Sequence, residues 1–129
     1  MKIAHLDHFV LTTKHLDMCL SFYSHILGMD IDRENNRYAL RFGKQKINIH
    51  TRKAEFLPAA RYPQCGSLDI CLVVDGQIEA VYQELTAKGV ILETGIVERN
   101  GAMGRMKSIY LRDPDGNLIE LCSYGDKKG

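Results

Sequence analysis

The chain repeats one order of predicted elements, and this repetition constrains its fold more than any other feature. Alternating apolar residues predict strands, and apolar residues spaced three and four apart predict helices. Each half shows a strand, a helix that ends at a glycine, and three further strands. The first half has a strand at 5–13, a helix at 15–27 before Gly28, and strands at 29–35, 37–42 and 46–51. The second half has a strand at 67–74, a helix at 78–88 before Gly89, and strands at 90–97, 106–113 and 117–124.

The order βαβββ therefore occurs twice, which predicts an α+β fold built from two tandem βαβββ modules. An offset of 61 residues aligns His8 with Asp69, and an offset of 70 aligns His50 with Glu120. With 129 residues, one domain over 1–129 is expected. Module one covers about 1–55 and module two about 67–125. Between them, residues 52–66 contain two prolines and little periodicity, and are predicted to be a linker.

Composition excludes several classes of function. The formal net charge is +1 without a basic block, so we expect neither a nucleic-acid nor a membrane partner. No apolar run approaches a membrane span, and the N-terminus lacks the apolar stretch of a signal peptide. The four cysteines form no C-x-x-C pair, which argues against a disulfide framework. We therefore expect a cytoplasmic protein with reduced thiols.

Each module has one residue that could bind a metal on its first strand and another on its last. These residues are His8 and His50 in the first module, and Asp69 and Glu120 in the second. Strand alternation places them opposite the apolar positions, so we expect them to point into a common cleft. Imidazole and carboxylate groups suit Zn, Mn, Fe(II), Co or Ni. The alternatives are structural histidines, and for Asp69 a carboxylate that orients an imidazole from outside the coordination sphere.

Two further groups could line the cleft. Ser108 and Tyr110 alternate with apolar residues and could hydrogen-bond a ligand. The preceding segment, 94–108, includes Arg99, Arg105 and Lys107; it is either a hairpin with solvated charges or a lid whose cations receive a carboxylate or phosphate. We assign substrate binding to Ser108, Tyr110, Arg105 and Lys107. We expect Cys71 and Cys122 to be small side chains lining the cleft.

Three stretches carry a family resemblance. They are LDHFVLTT at 6–13, SFYSHILGM at 21–29 and LRDPDGNLIEL at 111–121. The chain resembles the vicinal oxygen chelate superfamily, which includes glyoxalase I, bleomycin-resistance proteins, methylmalonyl-CoA epimerase and extradiol dioxygenases. KINIH followed by GSLDICL is most similar to the group called glyoxalase domain-containing protein 5 and its bacterial relatives. The resemblance implies a curled mixed sheet around a cleft, a homodimer, and a divalent metal held from the first and fourth strands of each module.

By position, His8 matches the family's first-strand histidine and Glu120 its last-strand glutamate. His50 lies where glyoxalase I has glutamate and the epimerase glutamine, and Asp69 lies where most metal-binding members have histidine. The resemblance therefore implies a metal set of His8, His50, Glu120 and Asp69. The departures at His50 and Asp69 from the family pattern argue against glyoxalase I activity itself.

We therefore predict a divalent-metal-dependent enzyme, of lyase or isomerase type, that acts on a small oxygenated metabolite. Two vicinal oxygens of the substrate would chelate the metal, which acts as a Lewis acid. Glu120 or Asp69 would exchange a proton with the substrate carbon. The alternatives are a metal-free protein that binds a drug or metabolite, as resistance-type members do, and a non-haem Fe(II) dioxygenase.

Overall fold

The computed structural model describes residues 1–125, which divide into two compact units, Met1–Ser67 and a second that begins at Leu68. In the first unit, the helix continues directly into one π-helical segment, Phe22–Ile26. The elements of the first unit are β1 (His8–Thr12), α1 (Leu16–Ser21), β2 (Asp30–Glu34), β3 (Arg37–Phe42) and β4 (Gln45–His50). Those of the second are β5 (Asp69–Val73), α2 (Ile78–Ala87), β6 (Val97–Gly101), β7 (Gly104–Arg112) and β8 (Leu118–Ser123).

Both units contain a four-stranded mixed sheet with the same topology. The strand orders are β1-β4-β3-β2 and β5-β8-β7-β6. In each sheet the first and last strands of the unit pair in parallel, and the other pairs are antiparallel. Two βαβββ modules confirm the predicted fold class. No helix within the described part of the chain is long and apolar enough to cross a membrane.

One face of each sheet is apolar and buried, because side chains alternate along a strand. In the first sheet this face holds Leu11, Leu40, Ile47 and Ile49. In the second it holds Ile109, Leu111, Ile119 and Leu121, and α2 contacts β7 and β8. The other face, here called the open face, carries polar side chains in both sheets. The predicted site residues on β1, β4, β5 and β8 all lie on an open face.

The strand predicted at 90–97 is wrong, because β6 begins at Val97. Gly101 pairs with Gly104 across a two-residue turn, and this pairing sets the β6–β7 register. Between Val97 and Gly101, β6 consists of Glu98, Arg99 and Asn100, which are polar and exposed, so this strand shows no apolar alternation. Segment 94–108 therefore ends in a hairpin, which is one of the two alternatives expected for it.

The DPDGN turn between β7 and β8 is closed by buried hydrogen bonds. The Asp113 carboxylate accepts from the backbone N–H groups of Asp115 and Asn117, both at 2.9 Å, and from the Asn117 amide at 2.7 Å. Asn117 Oδ1 accepts from the backbone N–H of Leu68 at 2.9 Å. Gly116 has a φ of +89°, which favours glycine. The turn therefore also holds the start of β5 beside β8.

The first strands of the two units do not pair with the last strands in the register that the alignment of the two halves implies. Val10 pairs with Asn48 in the first sheet, and Asp69 pairs with Leu118 in the second. When β4 is aligned with β8 by the offset of 70, Asp69 takes the place of Val10 rather than that of His8. The two first-strand candidates therefore lie at different heights along their sheets.

Candidate functional site

A cavity of about 500 Å³ opens on the open face of the first sheet. Its floor is formed by β3 and β4, and Phe56 from the segment after β4 covers one side. Charged side chains surround it. Its lining includes Ala39, Asn48 and His50 on the floor, and Asp32, Glu34, Arg37, Arg41 and Lys46 at the rim.

His50, at the end of β4, is 8% exposed, and its Nδ1 atom is buried without a hydrogen-bond partner in residues 1–125. Its ring meets the Phe56 ring edge to face, with centroids 5.2 Å apart. Burial lowers the pKa of His50 because it disfavours the imidazolium; Glu55 opposes this effect and Arg37 adds to it. His50 is therefore a neutral imidazole at neutral pH, the form that binds metal ions.

The loop after β4 holds Phe56 in place over His50. Glu55 accepts a hydrogen bond from the Thr51 backbone N–H at 2.7 Å and pairs with Arg52 at 3.3 Å. The Thr51 contact lowers the pKa of Glu55, so this carboxylate stays charged. A segment predicted to be a plain linker thus supplies one wall of the cavity.

His8 does not join His50. It is exposed, and its Nδ1 lies 2.7 Å from Asp7 Oδ1. In the β1–β4 register His8 lies opposite Lys46, whereas Thr12 lies opposite His50. Four residues of parallel strand separate them, about 13 Å. The two histidines share a face of the sheet but not a position on it.

In the second unit, Glu120 lies near the middle of β8, with Cys71 of β5 and Tyr110 of β7 opposite it. Its Oε2 atom and the hydroxyl of Ser108 are buried, and neither has a hydrogen-bond partner among the residues described. Ser108 lies on the same face, two positions along β7 from Tyr110. Asp69 is exposed and pairs with Leu118, two residues from Glu120.

The thiols of Cys71 and Cys122 lie against each other beside Glu120. Cys71 is exposed as a residue, but partial desolvation of its sulfur, followed by contacts with Cys122 and Glu120, raises the pKa of Cys71 to about 12. Burial also raises the pKa of Cys122. Both thiols therefore remain protonated and uncharged at neutral pH.

The cations of segment 94–108 lie in different surroundings. Arg99 donates from Nε to the Tyr110 hydroxyl at 3.1 Å, with its guanidinium 5.6 Å from the ring centroid. Lys107 pairs with Glu79 of α2 at 2.9 Å, and Arg105 pairs with Glu98 at 2.8 Å. Because Lys107 and Arg105 alternate with Ser108 and Tyr110, their side chains leave β7 on the other face.

Sequence reasoning did not select Arg37 or Phe56 for the site, and it named Arg99 only as one cation of the possible lid. Arg99 lies on a strand that was predicted seven residues too early, so its alternation with Val97 could not be used. Arg37 is one of many strand-end cations, and Phe56 follows no periodicity. Phe56 and Tyr62 are both aromatic residues of the segment 52–66, and nothing in the sequence distinguishes the first from the second.

The imidazole of His50 and the carboxylate of Glu120 are each a type of group that binds divalent cations. Each presents a buried nitrogen or oxygen atom with no hydrogen-bond partner in the described chain. His8 and Asp69 fit less well, because both are exposed and displaced along their sheets. Across residues 1–125, no three His, Cys, Asp or Glu side chains form a group that could hold a metal ion.

Comparison with known proteins places this arrangement in a family. The model described as the glyoxalase/bleomycin resistance protein/dioxygenase superfamily matches residues 5–121. Virulence protein STM3117 of Salmonella typhimurium is 44% identical over 96% of this chain and 87% of its own length. Its crystal structure has a TM-score of 0.93, with 43% identity, and the match covers 96% of this chain and 99% of that one.

Two further relatives widen the comparison. Glyoxalase domain-containing protein RDO1 of Mycosarcoma maydis is 44% identical over 99% of this chain and 73% of its own length. Lactoylglutathione lyase of Schizosaccharomyces pombe is 30% identical over 95% of this chain, which spans 48% of that protein. The chain belongs to the glyoxalase/bleomycin resistance protein/dioxygenase superfamily.

Proposed function

We propose that the protein is a divalent-metal-dependent enzyme, of lyase or isomerase type, acting on a small oxygenated metabolite. One observation carries this proposal. The buried side-chain polar atoms without a partner in the described chain belong to His50, Ser108 and Glu120, three residues that sequence reasoning had selected. Unpaired buried polar atoms are costly, so they are expected where a ligand completes them.

His50 and Glu120 are the proposed metal ligands, with His8 and Asp69 as further candidates. A bound divalent cation would supply Lewis-acid polarisation of substrate oxygens. Ser108 is the proposed hydrogen-bond donor to a substrate oxygen, because its hydroxyl has no partner among the described residues and its burial makes an unpaired hydroxyl costly. Tyr110 can donate its phenolic proton, because Arg99 already donates to its oxygen.

Glu120 is the residue best placed to accept a substrate proton. Its carboxylate is partly buried, and its Oε2 atom is unpaired. The relative named lactoylglutathione lyase supports a lyase, although glutamate at the position of His50 in glyoxalase I argues for a different substrate.

A second candidate is a metal-free protein that binds a small molecule, in keeping with the resistance proteins of the superfamily. The positions of His8 and Asp69 favour this candidate. The His8 imidazole and the Asp69 carboxylate are both exposed, and each is displaced along its sheet from the candidate ligand on the last strand, His50 or Glu120. The cavity of about 500 Å³ is large enough for a small ligand without a metal.

Metal analysis of the purified protein separates these candidates. We expect near-stoichiometric transition metal after dialysis at neutral pH, and its loss in His50→Ala and Glu120→Gln. His8→Ala should retain more metal than His50→Ala, and His25→Ala, a surface histidine of the π-helical segment, is the matched control. Absence of metal in the wild-type protein, or equal retention in His50→Ala and His25→Ala, would refute the enzyme and favour the binding protein.

A further inference from the structure

The cavity on the first sheet has an excess of positive charge at its rim. Three cations, Arg37, Arg41 and Lys46, line it together with two carboxylates, Asp32 and Glu34. Arg41 Nε donates to Asp32 Oδ2 at 2.8 Å, so these two charges neutralise each other. Arg37 and Lys46 then face a single carboxylate, and the cavity attracts anions.

Arg37 is positioned as an unpaired hydrogen-bond donor. Glu34 lies directly opposite it in the β2–β3 register, yet among the residues described Arg37 forms no ion pair within 4.0 Å. Its guanidinium instead lies 4.0 Å from the centroid of the Phe56 ring. Stacking on an aromatic face leaves the N–H groups at the guanidinium edge free to bind a carboxylate or phosphate.

The Phe56 ring links this guanidinium to His50, which it contacts edge to face. The loop that carries Phe56 is tied by the Glu55–Thr51 hydrogen bond, so the aromatic platform is fixed before any ligand arrives. Within the lining of the cavity, Lys46, Asn48 and His50 follow one another on the same side of β4. A cation, an amide and an imidazole are thus arranged along about 13 Å of strand.

We infer that this cavity binds the anionic end of the substrate, with Arg37 as its main contact and Lys46 as a second. The substrate class is then an oxygenated metabolite that carries a carboxylate or phosphate in addition to the oxygens that chelate the metal. The inference rests on the proposed function in naming this ligand a substrate. The anion-binding site itself is a property of the first unit alone.

Binding to the metal-free protein tests this inference. Three probes share a vicinal diol: glycerate adds a carboxylate, glycerol 3-phosphate adds a phosphate, and uncharged glycerol adds neither. We expect glycerate or glycerol 3-phosphate to bind about 10- to 100-fold more tightly than glycerol, as measured by NMR titration. The probe with the larger advantage identifies the anionic group.

Variants of the two cavity arginines locate the effect. Arg37→Gln should abolish the advantage without changing glycerol binding, and Arg37→Lys, which keeps the charge but loses the planar fork, should retain part of it. Arg41→Gln is the matched control and should keep most of it, because Asp32 already occupies that guanidinium.

Three results would overturn the inference: no binding of the anionic probes, an advantage that survives in Arg37→Gln, or an equal loss in Arg41→Gln. None depends on metal. If the probes fail to bind but the purified protein contains metal, the proposed enzyme still stands. If the probes bind but the purified protein contains no metal, the second candidate function is supported.

Discussion

Removing the Asn117 side chain should destabilise the second unit strongly. Asn117 is 1% exposed and joins two segments: its amide donates to the Asp113 carboxylate at 2.7 Å, and its Oδ1 accepts from the Leu68 N–H at 2.9 Å. In Asn117→Ala both bonds are lost. A hydrogen bond to a charged group contributes about 1.5–3 kcal/mol and a neutral one about 1 kcal/mol. We therefore expect a loss of about 3 kcal/mol in the free energy of unfolding.

Urea unfolding followed by circular dichroism measures this loss directly. In thermal unfolding, the same loss should lower the melting temperature of a chain of this size by an amount on the order of 10 °C. Asn100→Ala is the matched control, because Asn100 is exposed and its Oδ1 only accepts a 3.4 Å hydrogen bond from Arg105. The control should change stability by less than about 0.5 kcal/mol. A loss below about 1 kcal/mol in Asn117→Ala would refute the reasoning that this turn holds β5 to β8.

Three other outcomes can be checked. The pKa of His50 lies below its usual 6.5 in the folded protein, so the unfolded state takes up a proton first and stability should fall as pH drops below about 6.5. His50→Gln should remove that part of the pH dependence, as measured by urea unfolding at several pH values. Cys71 should react with iodoacetamide at pH 8 more slowly than Cys65, as seen by peptide mass spectrometry, because its pKa is about 12; faster labelling of Cys71 would contradict its contacts with Glu120 and Cys122. Lys107→Ala should leave metal content and probe binding unchanged, since Lys107 pairs with Glu79 of α2; a loss of either would restore its predicted role in substrate binding.

The order of elements could be predicted because most strands alternate and both helices end at glycines. The exception shows the limit of that reasoning. Residues 90–97 contain more apolar side chains than 97–101, yet the second stretch forms β6. An edge strand with two exposed sides has no apolar periodicity, and its position depends on the tight turn at residues 101–104. Similarly, the register of β1 against β4 depends on pairing between distant strands, which periodicity does not encode.

The candidate site was predicted where one residue's chemistry was sufficient, and missed where a contact was required. His50, Ser108 and Glu120 could be selected from strand parity and side-chain type, and each has a buried unpaired atom. Arg37 matters because it stacks on Phe56, and Phe56 matters because Glu55 closes the loop that carries it. Contacts of this kind join residues that are chosen by the fold, and side-chain type and strand alternation at one position do not reveal them.

The four proposed ligands differ in burial, and this difference follows the position of their strands. In both sheets the last strand of the unit, β4 or β8, lies between two neighbours, whereas the first, β1 or β5, lies at the edge. On the two last strands, His50 and Glu120 each have a buried donor atom without a hydrogen-bond partner among the described residues. On the edge strands, His8 and Asp69 remain exposed. If the proposed metal binds, substitution of His50 or of Glu120 should therefore lower the metal content more than substitution of His8 or of Asp69, because a buried donor atom without a partner gains most from a ligand.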